Sequence, residues 1–403
     1  MPFRDAWLLV GALLVLVGFG ASEPAISGVG FVVIIIGGVS RLWSRHLFDR
    51  VTLARRLGEH RAFTGESVRL EVELENRKLL PLPWYEWRLA LADPITVEGE
   101  MLASATVPGL SWLVKRGAMG WYEKRTWQYD IHASERGYHQ VGPGSIKSGD
   151  LFGVFPRTIE DRTSDALIVF PRVVSMAELG LPADRPFGER KGGNRVFEDP
   201  LRIAGLRDYR PGDPLKRIDW KATARHGELT SRVYEPSATQ QLYVVLNIDT
   251  LEHAWEGYLK DDLEFTVSAA ASIAVWAAAQ RYSVGLMANG SFPNADRPIR
   301  LAPSRSRDQL TRVLEALAVI QPLTLGDLAG TLHREGNRIP AGSTIVCVAA
   351  LVPESLAGVL LRLQDEGHRV FVVATTDRVT PTLPTGLPVT VIGGRHSPAQ
   401  APA

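Results

Sequence analysis

Between Gly205 and Arg225 the chain gathers Arg207, Arg210, Arg217, Asp213 and Asp219 around two large aromatics, Tyr209 and Trp220, with Pro211-Gly212 in the middle and Arg225 at the end. Three chemistries suit this set. Carboxylates facing guanidinium groups form an ionic latch, in which Asp219 pairs with Arg207, Arg210 or Arg217 and an arginine stacks on Tyr209 or Trp220. Outward-facing aromatics and arginines form a recognition surface for a protein or peptide. Asp213 and Asp219 beside His226 could serve acid–base hydrolysis. Pro211 and Gly212 suit the corner positions of a type II turn, which leaves Asp213 free to accept from backbone amides. Buried ionic clusters are weak evidence for stability as such. Residues 185–235 are moderately basic, which favours an acidic protein partner.

A further carboxylate stands apart. Residues 241–249 form a continuous apolar run ending in Asp249, the pattern of a buried parallel strand with an acid at its carboxyl end. Ligands of parallel sheets sit beyond such ends. No phosphate-cradling Gly-x4-Gly-Lys motif, dinucleotide fingerprint, His-Glu-x-x-His, Cys-x-x-Cys or Gly-x-Ser-x-Gly elbow accompanies it. Cys347, the only cysteine, lies in the apolar run 344–350 and reads as a small buried hydrophobe.

The elements that position these groups follow from periodicity. Helical patterns at 262–281, 306–320 and 353–367 alternate with apolar runs at 283–288, 343–350, 369–375 and 388–392. This predicts a Rossmann-like parallel sheet with helices on both faces. Upstream, residues 67–75 alternate apolar and polar as a half-buried strand does, and Asn76-Arg-Lys marks a turn. Residues 81–91 and 126–132 read as further strands. The segment 137–147 is expected to end in a glycine-proline corner. Short strands at this spacing predict a small β-sandwich. Trp84, Trp87, Trp112, Trp121 and Trp127 either pack its thin core or form a partner-binding face. Residues 152–155 read as a hydrophobic hook leading out of it.

The N-terminus has a different character. Residues 6–21 and 25–39 are two apolar runs broken by Ser22-Glu23-Pro24. Each spans about 24 Å as a helix, short of a hydrocarbon core of about 30 Å, with Trp7 and Trp43 placed to reach the interface. A helical hairpin that crosses a membrane twice explains both runs, whereas a cleaved signal peptide explains only one. Arg41, Arg45, Arg50, Arg55 and Arg56 follow the second run, so both ends are expected on the cytoplasmic side. Gly11 and Gly18 share one helix face, where they let the two helices approach closely. The rest of the composition is that of globular protein, 45% hydrophobic and 22% charged over 403 residues. A net charge of +1 argues against nucleic-acid binding through bulk electrostatics.

Taken together, Arg136-Gly-Tyr-His-Gln-Val-Gly-Pro143, Asp150-Leu-Phe-Gly153, Leu206-Arg-Asp-Tyr-Arg-Pro-Gly-Asp213, Arg217-Ile-Asp-Trp220 and Ala224-Arg225 resemble the bacterial DUF58 family over essentially the whole chain. The resemblance implies two transmembrane helices, a β-rich segment, a von Willebrand factor A-like domain, and association with a MoxR-type AAA+ ATPase. The expected layout is a hairpin at 1–45, a sandwich at 46–165, a linker and signature segment at 166–240, the A-like domain at 241–394 and a disordered tail at 395–403. Residues 182–194 are expected to form a mobile loop. A-like domains often hold Mg²⁺ on Asp-x-Ser-x-Ser after the first strand. Here that stretch reads Asp249-Thr-Leu-Glu-His253, so the site is expected to be degenerate: Leu251 cannot ligate and His253 suits Mg²⁺ poorly. A metal-dependent adhesion module using Asp249 with Glu252 or Thr250 remains the alternative to a membrane-anchored, non-enzymatic interaction module.

Overall fold

The computed structural model describes residues 6–183, 186–187, 198–210, 218–236, 241–253, 256–291, 298–324, 326–340, 342–377 and 386–392. The chain divides into two compact units, 1–171 and 172–403. The expected mobile loop falls largely, and the expected tail entirely, outside the described residues.

The first unit opens with two apolar helices, α1 (Ala6–Gly20) and α2 (Pro24–His46). Pro24 begins α2 where its missing N–H costs nothing. As the spacing predicts, Gly11 and Gly18 are buried against α2, and a β-carbon added to Gly11 would lie 2.6 Å from Ile34 Cγ1. α2 runs well past the expected end at Val39, because Arg41, Arg45 and His46 continue the helix without a breaker. By length and composition α2 and a later helix, Lys260–Ala279, could cross a membrane; the later one is more than half buried inside the second unit.

Eleven strands follow: β1 (Val51–Leu57), β2 (Arg61–Phe63), β3 (Ser67–Asn76), β4 (Leu82–Ala92), β5 (Ile95–Val97), β6 (Ala103–Ser104), β7 (Leu110–Met119), β8 (Lys124–Ala133), β9 (Gly137–Ser148), β10 (Arg157–Asp161) and β11 (Asp165–Phe170). They form one sheet in the order β1-β3-β8-β5 and a second in the order β2-β11-β9-β4-β7-β6, with β10 on β9. The alternation of β3 turns Val68, Leu70, Val72 and Leu74 into a core shared with Trp87, Leu89 and Leu91 of β4, so the two sheets close as a sandwich. Trp87 is fully buried beside Trp127 and Tyr129, whereas Trp121 is exposed. The tryptophans therefore divide between core and surface.

One expectation fails here for a tertiary reason. Gly142-Pro143 does not end a strand; β9 pairs with β11 before this step and with β10 after it, and with β4 on both sides. A β-carbon at Gly142, whose φ is +109°, would meet Thr163 O at 2.8 Å and the Arg55 guanidinium at 2.9 Å. Arg55, counted among the arginines that follow the second apolar run, donates to Asp165 Oδ2 at 2.7 Å, Asp161 Oδ2 at 3.1 Å and Thr163 Oγ1 at 2.8 Å. Its charge is spent inside the sandwich.

The second unit contains β12 (Glu198–Asp208), α3 (Trp220–His226), β13 (Thr230–Pro236), β14 (Gln241–Asn247), α4 (Lys260–Ala279), β15 (Ser283–Ser291), β16 (Pro298–Ser304), α5 (Gln309–Val319), β17 (Gln321–Thr324), α6 (Leu328–Glu335), β18 (Thr344–Ala349), α7 (Glu354–Asp365), β19 (Arg369–Ala374) and β20 (Val389–Val391). Among the described residues β12 and β13 form a two-stranded sheet. The main sheet runs β16-β15-β14-β18-β19-β20. β14, β15, β18, β19 and β20 are parallel, as their continuous apolar runs predict. β16 and β17 are not anticipated, and both are antiparallel to β15. Alternate residues of β14 divide between the faces. Tyr243 and Val245 join α6 and α7 in one core, and α4 and α5 cover the opposite face.

Candidate functional site

The signature segment folds as a two-stranded ribbon with a short helix set into its connection. β12 and β13 pair antiparallel with bulges near Ile203 and Gly205. Tyr209, half-buried, donates its N–H to Leu229 O at 2.8 Å. Ile218 bridges Ser231, and Asp219 N–H donates to Thr230 O at 2.9 Å. Asp219 then starts α3: its Oδ1 accepts from the amides of Lys221 and Ala222, each at 3.0 Å, the N-cap role for which a short acid is suited. Gly227, with φ at +74°, ends the helix as a left-handed cap and donates to Thr223 O. Thr223 Oγ1 accepts from Thr230 N–H at 3.1 Å and pins the helix back on β13.

The ion pair brings in an arginine that was not expected. Asp219 Oδ2 accepts from Arg232 Nε at 3.0 Å. Arg232 reaches it because β13 runs alongside the helix start. The Ala222 amide first, then Arg232, hold the Asp219 carboxyl below the usual carboxylate range. Nor is the set buried. Arg207, Arg210, Trp220 and Arg225 are exposed, and Trp220 keeps 67% of its surface in solvent. Pro211, Gly212, Asp213 and Arg217 lie outside the described residues, as does the side chain of His226.

Asp249 sits where the continuous strand predicts it, just past β14 at the carboxyl end of the sheet. Thr324 Oγ1 donates to its Oδ1 at 2.6 Å, and Asn289 Nδ2 donates to its Oδ2 at 2.8 Å. Asn289, fully buried, also donates to Asn247 Oδ1 at 2.8 Å and accepts from Ile248 N–H at 2.9 Å. Burial pushes the Asp249 carboxyl up; Thr324 and Asn289 oppose this, and the nearby negative charge of Asp327 adds to it. Asp327 itself caps α6, taking amide hydrogens from Ala329 and Gly330. Thr250 Oγ1 accepts from Leu259 N–H at 2.8 Å. The donor set therefore fits Mg²⁺ poorly. Asp327, whose charge acts on Asp249, is committed to a helix, Thr250 to a backbone amide, and the position after Thr250 is Leu251. Among the described residues no group of three His, Cys, Asp or Glu is arranged to hold a metal ion.

A carboxyl raised in the folded state binds more protons folded than unfolded. Its contribution to stability is therefore greatest below the unfolded value and declines as pH rises through the folded one. Asp249→Asn, with the new amide nitrogen turned to the Thr324 hydroxyl, is expected to melt at or above the wild type at neutral pH, and the two should converge in acid. Millimolar Mg²⁺ should shift neither melting curve. A lower melting point for the variant, or a Mg²⁺-dependent shift of the wild type alone, would restore the metal reading.

Sequence reasoning missed Arg232, Asn289 and Thr324. The Asp219 cap was legible as an acid just before a helix-forming stretch, but Asn289 and Thr324 carry no local signal. Cys347 is buried as expected, and burial pushes its thiol up to about 12, which leaves it inert as a nucleophile.

Residues 205–396 match the family model described as "Protein of unknown function DUF58"; the match opens on the ribbon and takes in the whole parallel sheet. The "Uncharacterized protein YeaD" of Bacillus subtilis (strain 168) is 24% identical over 222 residues, 55% of this chain and 51% of the relative. The chain thus spans about half the length of that relative. Among solved structures, the CARDB domain of the PF1109 protein from Pyrococcus furiosus, in complex with di-metal ions, aligns with 30% of this chain and 96% of its own at 11% identity and a TM-score of 0.21. A non-cellulosomal cohesin from Archaeoglobus fulgidus aligns with 32% and 96% at 15% identity, also at 0.21. Scores of that size carry no inference for function.

Proposed function

We propose that this chain is a membrane-anchored protein-interaction module. In this reading the α1–α2 hairpin spans the cell membrane and both units face the cytoplasm. The second unit, as a von Willebrand factor A-like domain, presents its ribbon to a protein partner. The observation that carries the reading is Trp220. It is a large aromatic kept in solvent on a helix that is capped at both ends and tied to β13. Ordering it costs little on binding, and aromatics in such positions dominate interface energetics. Exposed Arg207, Arg210, Lys221 and Arg225 around it suit an acidic partner face. The cytoplasmic orientation rests on Arg41, Arg45, Arg50 and Arg56 at the end of α2 and just beyond it, against Glu23 at the hairpin tip.

The family resemblance makes a MoxR-type AAA+ ATPase the expected partner, in complex assembly. The full chain purified in mild detergent is expected to retain that ATPase. Recovery of the intact chain with no ATPase, and no binding when the purified ATPase is added back, would overturn the reading. Hydrolysis around Asp219 is disfavoured because its oxygens are already engaged by two α3 amides and Arg232.

A further inference from the structure

Beside the last turns of α2, the first unit carries an apolar loop that its own core does not use. Trp7 of α1 lies over Gly37 of α2, and α2 continues from there to His46. Residues 150–155 lie against them. Ser44 Oγ donates to Phe155 O at 2.9 Å, and Phe155, buried, meets the Trp7 ring edge-on at 6.2 Å. Ser40 and Ser44, one turn apart, are both buried. Asp150, also buried, shapes the loop by accepting from Phe152 N–H at 3.1 Å and Phe155 N–H at 2.7 Å. Burial would lift its carboxyl, but these amides and that of Val154 outweigh burial and hold it low. Arg157 donates to Ser44 O and Arg45 O, filling the carbonyls at the end of α2.

With both ends held this way, Leu151, Phe152 and Val154 point into solvent, and Phe152 is 61% exposed. A soluble loop gains nothing from a pinned Leu-Phe-Val tip. The hairpin on which the loop is seated is itself apolar and exposed, with Leu9, Leu13 and Leu16 of α1 and Val32, Ile35 and Val39 of α2 uncovered. Arg45 and Arg50 lie exposed nearby in the chain. A second exposed apolar group, Leu79, Trp121 and Tyr122, belongs to turns joined to the end of α2 through Lys78, whose Nζ donates to Leu47 O and to Asp49 O.

We infer that the 151–154 loop is seated in the lipid interface, with Leu151, Phe152 and Val154 among the upper acyl chains and the neighbouring arginines at anionic headgroups. This inference rests on the hairpin spanning the bilayer. The loop would then act as a third anchor that, together with the two helices, fixes how the sandwich stands on the membrane.

The test uses the full chain reconstituted in phosphatidylcholine vesicles containing phosphatidylglycerol, with an environment-sensitive fluorophore on Phe152→Cys or, separately, on Leu16→Cys. Cys347, buried in the second unit, stays unlabelled in the folded protein. The label at 152 is expected to lose about half its emission to lipid nitroxides placed high on the acyl chain, at the roughly 5–10 Å depth of interfacial apolar groups, and to resist aqueous iodide. The label at 16 should respond to nitroxides placed deep in the bilayer. A quenched label at 16 with an iodide-accessible, nitroxide-insensitive label at 152 overturns the loop inference alone. A label at 16 insensitive to every lipid nitroxide overturns the membrane reading and the loop with it.

Discussion

A chain that begins at Val51 is expected to be less stable in its first unit than one that begins at Arg45, by about 3–6 kcal/mol. Composition alone places the junction between anchor and soluble protein near residue 45, and Val51 opens the first strand. The structure shows that the junction is not a linker. Leu47 is completely buried and Phe48 nearly so, both in the sandwich core with Trp87 and Leu70. Each such side chain contributes roughly 1.5–3 kcal/mol by leaving water, against a total domain stability of about 5–15 kcal/mol. Cutting at Val51 also removes the Leu47 and Asp49 carbonyls that receive Lys78. Lys78 is buried enough that its ammonium is pushed down to about 8, and those carbonyls are the acceptors that offset its burial. Urea unfolding of the two chains measures the difference directly. Equal midpoints would mean that Leu47 and Phe48 contribute nothing to the sandwich.

Trp220→Ala is expected to weaken binding to the proposed partner ATPase by about 30-fold or more, the level of an interface hot spot, with the melting temperature unchanged. The separation of the two effects follows from exposure. Two-thirds of the Trp220 surface is in water, so truncation opens no cavity, and surface changes of this kind usually stay within about 0.5 kcal/mol. Asp219→Ala is the contrasting variant. It removes the cap of α3 and the Arg232 pair together, so binding and local helicity should fall together. Calorimetric titration of the ATPase with each variant, beside far-ultraviolet circular dichroism, distinguishes the contact from its support. Undiminished binding by the tryptophan variant would mean that the ribbon is not the contact surface.

Much of the architecture was legible because its signals are local. The alternation of residues 67–75, the unbroken runs at β14, β18 and β19, and the Ser-Glu-Pro break between the two apolar helices each report burial directly through the period of the chain. The spacing of Gly11 and Gly18 placed them against α2 for the same reason. What misled was whatever depended on register. Gly142-Pro143 looks like a corner in isolation, yet β4 runs beside the strand on both sides of it. Arg55 looks like a topology signal, yet Asp161 and Asp165 stand opposite it more than a hundred residues later in the chain. The Arg232 partner of Asp219 was missed in the same way, because it comes alongside only once β12 and β13 have paired.

By itself the sequence determined the longer helices and the central strands of each unit, the apolar hairpin at the start, and the carboxylate at the end of β14, since each is written in hydrophobic period and in turn residues. Only the tertiary structure decided that Trp220 stays in solvent while Arg55 does not, that Asn289 and Thr324 close on Asp249, and that Phe155 seats a loop on α2. Those outcomes depend on which distant strands and helices pack side by side. The free energy that selects such packing belongs to the whole core, and no short stretch of residues encodes it.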